Sequence, residues 1–121
     1  MEFICKDKII ELSNPGVSSR QLLSPDNSSS KNVTITEVHL KPGAIQPRHS
    51  HNESEQIWYA TKGIGKILIA NNEEKEFAAG DVVRFEKDEI HGLLNDSDDE
   101  IVYISVTSPP INFCYAYKEK R

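Results

Sequence analysis

Two histidines separated by one residue are the part of this sequence best suited to chemistry. Side chains alternate along an extended strand, so His49 and His51 point to the same side with their Cα atoms about 6.5 to 7 Å apart. Neutral imidazole is the commonest ligand for zinc, iron, nickel or copper, and a nearby carboxylate or amide oxygen can add a third ligand. The pair therefore predicts half of a metal site, whose other half should lie elsewhere in the chain.

The elements that must position these histidines are short strands separated by turns. Asn71 and Asn72 form a predicted hairpin tip, because asparagine tolerates the positive φ of such turns. Pro109 and Pro110 end the last strand, since proline cannot donate to a β-ladder. No segment of useful length has a helical period, so the pattern predicts an all-β sandwich or barrel. The predicted strands cover residues 17–23, 33–40, 56–62, 66–70, 75–77, 82–85 and 101–107.

Length and composition predict one compact domain. The chain has 121 residues, of which 37% are hydrophobic, which suffices for a single core and is too few for two domains. We expect one domain over residues 1–121, with a core at about 33–110, an N-terminal arm at 1–23 and a C-terminal segment at 111–121.

Charge and cysteine content argue against several classes of function. The net charge of −5 leaves no basic face for nucleic acid. No run approaches the roughly 18 apolar residues of a membrane span, and the N-terminus does not have the pattern of a signal peptide. Cys5 and Cys114 form no disulfide or metal-binding framework, which favours a reduced compartment. We therefore expect a cytoplasmic protein with a small-molecule ligand.

The segment around the histidine pair resembles the first motif of the cupin superfamily. That motif is a glycine, five residues, His-X-His, three or four residues, an acidic or amide ligand, six residues and a glycine. The residues that fit this spacing are Gly43, His49, His51, Gln56 and Gly63.

A second segment is similar to the other cupin motif, in which a glycine and a turn precede a histidine that is followed four residues later by an asparagine. Gly80, His91 and Asn95 fit, although Glu86 and Asp88 stand where the motif usually has proline and glycine. Two motifs in the right order, spanning about residues 40–110, identify the chain as a member of the superfamily.

The resemblance implies a cupin double-stranded β-helix, which is a jelly-roll barrel of the RmlC-like type. It also implies one divalent transition metal, zinc, iron, nickel or manganese, held near the mouth of the barrel. The implied ligands are His49, His51, Gln56 and His91.

The oxygen ligand has an alternative in the neighbouring Glu55, because the superfamily typically uses glutamate. Spacing to Gly63 favours Gln56, since Glu55 would leave seven intervening residues. Alternation gives this choice a structural consequence: if Gln56 faces inward, Trp58 and Ala60 face inward with it.

Three further residues are candidates for contacts with substrate. Trp58 is a candidate substrate platform or a core residue, and Arg84 a candidate clamp for a carboxylate or a surface charge. Tyr103 is a candidate acid or base. His39 lies outside both motifs and is expected to be an ordinary strand residue.

Within the superfamily, the nearest pattern is that of the short pectin-degradation cupins, which act on unsaturated uronates. Those proteins carry a carboxylate on the last strand and an arginine after the proline, where this chain has Ser105 and Ile111. The resemblance therefore implies a metal-dependent enzyme on a small polar or anionic molecule, a lyase, isomerase or dioxygenase, without specifying the pectin reaction. The alternative is a non-catalytic cupin that binds or senses a metal or small ligand.

Cupins of this size usually form homodimers, so the resemblance also implies self-association. Candidate interface segments are residues 3–12 and 111–117. In the second segment the apolar residues alternate on one face, and they would be exposed in a monomer unless they fold back onto their own barrel. They are Ile111, Phe113, Tyr115 and Tyr117.

Overall fold

The structure is a computed structural model that describes residues 1–120. These residues contain eleven strands, three short 3-10 turns and no α-helix. No helix in this part of the chain has the length and hydropathy of a membrane span. The 3-10 turns are Lys6–Lys8, Ala70–Asn72 and Phe113–Ala116. The strands are β1 Glu11–Asn14, β2 Val17–Leu23, β3 Thr34–Leu40, β4 Ile45–His49, β5 Glu55–Lys62, β6 Ile64–Leu68, β7 Glu74–Ala78, β8 Val82–Phe85, β9 His91–Leu94, β10 Ile101–Ser108 and β11 Glu119–Lys120.

The strands form two antiparallel sheets that pack as a jelly-roll barrel. The larger sheet has the order β11-β1-β2-β3-β10-β5-β8, and the smaller has the order β4-β9-β6-β7. The predicted all-β jelly-roll fold is confirmed, and each predicted strand lies within two residues of an observed one. The histidine pair and His91 both belong to the smaller sheet or its adjoining loop, so this sheet positions the candidate metal ligands.

The core lies between the two sheets because strand side chains alternate between a buried and a more exposed face. On β3 every second residue is buried, ending with Val38 and Leu40. These residues pack with Trp58 and Tyr103 of the larger sheet and Leu93 of the smaller one. Burying such a side chain contributes about 1.5–3 kcal/mol to folding, so the core holds the sheets in the arrangement that the site requires.

Two turns require the residues that the sequence places there. Asn71 and Asn72 have φ values of 62° and 59°, which confirms the predicted positive-φ hairpin tip. Gly63 has φ +84°, and a Cβ atom there would lie 2.5 Å from the carbonyl oxygen of Glu100. Only glycine satisfies both conditions at the junction of β5 and β6.

The C-terminal residues fold back onto the chain's own barrel. β11 pairs with β1, and residues 113–116 form a turn instead of the strand that the alternating apolar residues suggested. The side chain of Asn14 holds this turn, because its Nδ2 donates to the carbonyl of Ala116 at 2.9 Å and its Oδ1 accepts from the backbone N–H of Lys118 at 2.9 Å. Phe113 is half-buried, whereas Tyr115 is exposed.

Candidate metal centre

Three histidine rings converge at one end of the smaller sheet. His49 is the last residue of β4 and pairs in register with His91, the first residue of β9. His51 lies in the loop before β5 and not on a strand, yet its ring still meets the other two. Ring centroids are 5.0 Å apart for His49 and His51, 4.3 Å for His49 and His91, and 5.2 Å for His51 and His91. One nitrogen of each ring lies within 4.8 Å of the others.

The hydrogen bonds of these rings leave nitrogen lone pairs available for a metal. The Nδ1 atoms of His49 and His91 lie 2.8 and 2.9 Å from the carbonyl oxygens of Pro47 and Glu89. A carbonyl accepts only, so each Nδ1 carries the proton and each Nε2 carries the lone pair. The Nε2 atoms of His51 and His91 are buried without a hydrogen-bond partner. Leaving a buried polar atom unpaired costs about 1–3 kcal/mol, and a metal ion would satisfy both atoms.

Burial also keeps two of the rings in the neutral form that binds metal. Desolvation, with a smaller contribution from the charge of His49, lowers the pKa of His51 to about 4. The pKa of His91 is also lowered to about 4, mainly by burial, although the Glu89 carbonyl opposes the decrease. His91 is additionally stacked on Phe85, with ring centroids 4.5 Å apart. Both rings are therefore neutral at pH 7, and the donor set fits a divalent transition metal.

Gln56 faces the interior of the barrel on the same side as Trp58. Its Nε2 donates to Thr107 Oγ1 at 3.0 Å, and its Oε1 accepts from Trp58 Nε1 at 3.1 Å. Gln56, Trp58 and Ala60 are all buried, so the alternation predicted for an inward-facing Gln56 is confirmed. The amide oxygen keeps a second lone pair, which allows it to act as an oxygen ligand.

Glu55 and Arg84 lie on the outer face of the larger sheet. The Nε atom of Arg84 donates to Glu55 Oε1 at 3.2 Å, and Arg84 also pairs with Glu86 at 3.5 Å. Arg84 is the register partner of Ile57 on β5, which places it one residue out of phase with Gln56. The structure therefore does not bring Arg84, the predicted carboxylate clamp, or Glu55, the alternative ligand, to the three histidines.

A cavity of about 410 Å³ opens beside the histidines. Trp58 and Tyr103 both contribute to its wall, with ring centroids 4.4 Å apart. The Tyr103 hydroxyl donates to Gln46 Oε1, and Gln46 Nε2 donates to the hydroxyl of Tyr117 at 3.5 Å. The residues lining this cavity are Asn14, Val17, Thr36, Val38, Ile45, Gln46, Pro47, Arg48, His49, Ser50, His51, Gln56, Trp58, Tyr103, Ser105, Phe113, Tyr115, Ala116 and Tyr117.

The environment of Tyr103 favours a hydrogen-bond donor over a base. Burial and the neighbouring Tyr117 raise the pKa of Tyr103 well above its ordinary value, against the opposing effect of the hydrogen bond with Gln46. Burial also raises the pKa of Tyr117. Both hydroxyls therefore keep their protons at neutral pH and present neutral groups to the cavity.

Several cavity residues were not foreseen from the sequence. Gln46 lies inside the first motif but at a position that the motif leaves unspecified, so only the paired strands reveal it. The alternating aromatic residues near the C-terminus did carry a signal, but alternation cannot distinguish a partner's surface from the chain's own barrel. The ring of Phe113 in fact lies 6.1 Å from that of His51. His39 is on the outer face, as expected, where it pairs with Glu37 and Glu100.

Comparison with known proteins gives a family match and several structural neighbours. The sequence profile of the cupin domain family matches residues 36–107. KdgF from Halomonas sp. is 20% identical with a TM-score of 0.75, over 90% of this chain and 95% of that one. Ectoine synthase from P. lautus is 17% identical with a TM-score of 0.74, over 92% of this chain and 78% of that one. A predicted oxalate decarboxylase from Thermotoga maritima is 25% identical with a TM-score of 0.69, over 77% of this chain and 80% of that one.

Proposed function

This chain belongs to the cupin family, and on that premise we propose that it binds one divalent transition metal through His49, His51 and His91. Gln56 is the proposed oxygen ligand. The observation that carries the proposal is the pair of buried, unpartnered Nε2 atoms of His51 and His91, beside a third histidine nitrogen within 4.8 Å. Nitrogen-rich sets of this kind suit zinc, iron, nickel and manganese among the available ions.

The proposed ligands are all neutral, which determines what the centre would attract. Three imidazoles and an amide leave the full positive charge of a divalent ion uncompensated, so an anionic oxygen is the favoured additional ligand. When bound, the ion would supply Lewis-acid polarisation of that oxygen. Thr107 and Trp58 hold the Gln56 amide in a fixed orientation, and the aromatic wall limits the access of water.

We propose that the activity is that of a metal-dependent enzyme on a small polar or anionic molecule. Lyase, isomerase and, with iron, dioxygenase chemistry are the reaction types that this site supports. The Tyr103 hydroxyl donates its proton to Gln46 Oε1 and so fixes the amide of Gln46, whose second N–H would donate a hydrogen bond to an oxygen of the bound molecule. The similarity to a predicted oxalate decarboxylase supports a small carboxylate as the kind of molecule bound.

The pectin-type reaction is not part of the proposal. Ser105 lines the cavity at the position where the pectin-degradation cupins carry a carboxylate. The similarity to KdgF, at 20% identity, supports the fold and does not imply that this chain catalyses the same reaction.

One observation favours a second candidate, a cupin that binds or senses a small ligand without converting it. Among residues 1–120, no aspartate, glutamate or lysine lines the cavity. General acid–base chemistry usually uses a side chain that titrates near the working pH, whereas the two tyrosines with raised pKa values stay protonated. Turnover of a candidate carboxylate, compared with its binding alone, separates the two functions.

We keep three broader expectations as proposals. The chain would form one domain over residues 1–121, assemble as a homodimer and work in the cytoplasm. Residues 3–12 and 111–117 are the proposed interface segments, and Tyr115 in the second of them is exposed. Light scattering of the purified protein measures the assembly directly.

Metal analysis of protein purified without added metal tests the proposed centre. We expect about one ion per chain in the wild type, a loss in His51→Ala and a smaller loss in Gln56→Ala. His39→Ala is the matched control, because it removes a histidine that is paired with Glu37 and Glu100 on the outer face. A wild type that holds no metal even after reconstitution, or a His51→Ala protein that retains it fully, contradicts the proposal.

A further inference from the structure

The lining of the cavity beside the metal ligands contains few groups that can carry a charge. Its described lining contains His49, His51, one arginine and otherwise neutral side chains, and the ring of His91 meets the rings of the two histidines. The neutral groups are of two kinds, apolar side chains such as Val17 and Val38 and hydrogen-bonding groups such as Thr36 and Ser105. The position of the arginine therefore decides whether a second charge on a ligand would find a partner.

The guanidinium group of Arg48 is hydrogen-bonded to two backbone carbonyls. Its Nε donates to the carbonyl of Ile69 at 2.8 Å, and its Nη2 donates to the carbonyl of Glu73 at 3.1 Å. Both acceptors belong to the connection between β6 and β7, on the surface of the barrel. The guanidinium keeps its charge and its other N–H groups, but these two bonds hold it at the β6–β7 connection, and no other arginine or lysine belongs to the lining described for residues 1–120.

The wall away from the histidines consists of a neutral hydrogen-bonded group. Gln46 lies three residues before His49 on β4 with a bulge between them, and their partners on β9 are two residues apart, which corresponds to about 7 Å along the strand. Its amide links the Tyr103 and Tyr117 hydroxyls. These groups can hydrogen-bond a hydroxyl or carbonyl oxygen of a ligand, but they cannot neutralise a carboxylate or phosphate.

Cavity volume gives the approximate size of a matching ligand. The volume of about 410 Å³ corresponds to the space that about fourteen water molecules take in the liquid. This is larger than a two-carbon acid needs. A molecule that fills the space must therefore extend from the metal ligands toward Gln46.

We propose that the cavity selects small molecules with a single anionic group at one end and an uncharged body. The anion would bind at the His49, His51 and His91 end, and the body would lie against Trp58 and the Gln46 group. Dicarboxylates and phosphorylated compounds with their second charge at the far end are disfavoured, because that charge would lose its water without gaining a cation. This inference rests on the proposed metal centre, which supplies the cationic end.

A matched series of six-carbon probes tests the inference without any assay of turnover. Hexanoate has one carboxylate, adipate has one at each end, and 1-hexanol has none. Trp58 is the only tryptophan of the chain and lines the cavity, so its fluorescence in the zinc-loaded protein reports binding of each probe. We expect hexanoate to bind at least tenfold more tightly than adipate or 1-hexanol.

A charge placed on the far wall should reverse this preference. Gln46→Arg supplies the missing cation, so we expect the affinity for adipate relative to hexanoate to rise at least tenfold. Tyr59→Arg is the matched control, because it adds the same charge at an exposed position on the outer face, and it should keep the wild-type preference. The comparison in the wild type stands on its own if Gln46→Arg does not fold.

The metal content of each sample separates the two levels of the proposal. A protein that takes up no zinc overturns both the metal centre and the inference that rests on it. Zinc-loaded wild type that binds adipate as tightly as hexanoate, or binds neither acid at millimolar concentration, overturns only the inference. Equal gains in adipate affinity in Gln46→Arg and Tyr59→Arg overturn it as well.

Discussion

The inner wall of the barrel and its outer surface differ in the charged side chains that they carry. On the outer surface, carboxylates are paired with cations. Inside, the cavity described for residues 1–120 is lined mainly by amides, hydroxyls, aromatic rings and the histidines His49 and His51, with no carboxylate. The outer pairs are Arg20–Glu37, His39–Glu37, His39–Glu100, Lys62–Glu100, Lys66–Asp96, Arg84–Glu55 and Arg84–Glu86.

Strand β5 contains this difference within two consecutive residues. Glu55 points outward to Arg84, and Gln56 points inward to Thr107. Because side chains alternate with a period of two, a shift of one residue would exchange them and bring a negative charge into the cavity. The register of β5 thus keeps the inner wall neutral, and the proposed metal would be its dominant charge.

The largest expected contrast is between inner and outer histidines as the pH falls. In metal-free protein, His51 and His91 have folded-state pKa values of about 4, whereas the ordinary value of 6.5 applies in the unfolded chain. Between these values the unfolded state binds more protons, so the free energy of unfolding should decrease as the pH falls from 6.5 to about 4. The slope is at most about 1.4 kcal/mol per pH unit for each histidine. Urea unfolding across this range measures it.

Substituting one histidine at a time tests whether the pH dependence of the free energy of unfolding arises from the buried histidines. His51→Gln should flatten the dependence, because it removes one buried titrating ring. His39→Gln should leave the slope between pH 4.5 and 6.5 in place, since His39 lies outside between Glu37 and Glu100. Equal slopes in the two variants would show that the decrease arises elsewhere.

The next contrast compares two neighbouring aromatic residues on opposite faces of β5. Trp58 is 2% exposed and packs against Tyr103 and Phe85 at ring distances of 4.4 and 4.9 Å, whereas Tyr59 is 48% exposed. Trp58→Ala should lower the free energy of unfolding by about 3–5 kcal/mol, and Tyr59→Ala by about 1 kcal/mol or less. Chemical denaturation of both variants measures the difference, and similar losses would contradict the assigned faces.

Much of this two-faced barrel could be predicted from the sequence, because alternation and turn chemistry are local. The strand containing Gln56 and Trp58 and the asparagine hairpin tip both follow from neighbouring residues. The grouping of His49 and His51 with His91 came from the motif spacing. The register of β4 against β9, which forms that group, is a long-range property that spacing alone does not fix.

The parts that sequence reasoning missed depend on which neighbour a strand acquires. Alternation along β8 tells which residues share a face with Arg84, but the register with β5 decides whether that face points into the barrel or out of it. The alternating aromatic residues from Phe113 to Tyr117 left open whether they face a partner or the chain's own barrel, and the structure shows that they line its own cavity because β11 returns to β1. In both cases the local pattern gives the alternation of side chains, but it does not identify the strand or surface against which they pack.

Exchanging the two side chains one at a time sharpens the comparison on β5. Gln56→Glu places a carboxylate at a buried position that lines the same cavity as His49 and His51, so the metal-free protein should lose about 1–3 kcal/mol at neutral pH. Added zinc should recover this loss, because the ion compensates the new charge. Unfolding measured with and without zinc tests both statements.

Glu55→Gln is the outer counterpart of that variant. It removes one partner of an exposed ion pair with Arg84, which is worth about 1 kcal/mol or less, and it should not alter the response to zinc. A Gln56→Glu protein that is as stable as the wild type without metal, or that gains nothing from zinc, would argue against Gln56 facing the metal ligands.

The smallest expected effect concerns Asn14 at the end of β1, which holds the C-terminal turn that covers the cavity. Its two hydrogen bonds at 2.9 Å, with Ala116 and Lys118, contribute about 0.5–1.5 kcal/mol each. Asn14→Ala should therefore speed hydrogen exchange of the backbone amides of residues 113–118 while the core strands keep their protection. Asn32→Ala, at an exposed position in another loop, is the control and should change neither. Faster exchange throughout the barrel would mean that this turn supports the fold as a whole and does not act as a separate cover, because local opening leaves the strands protected.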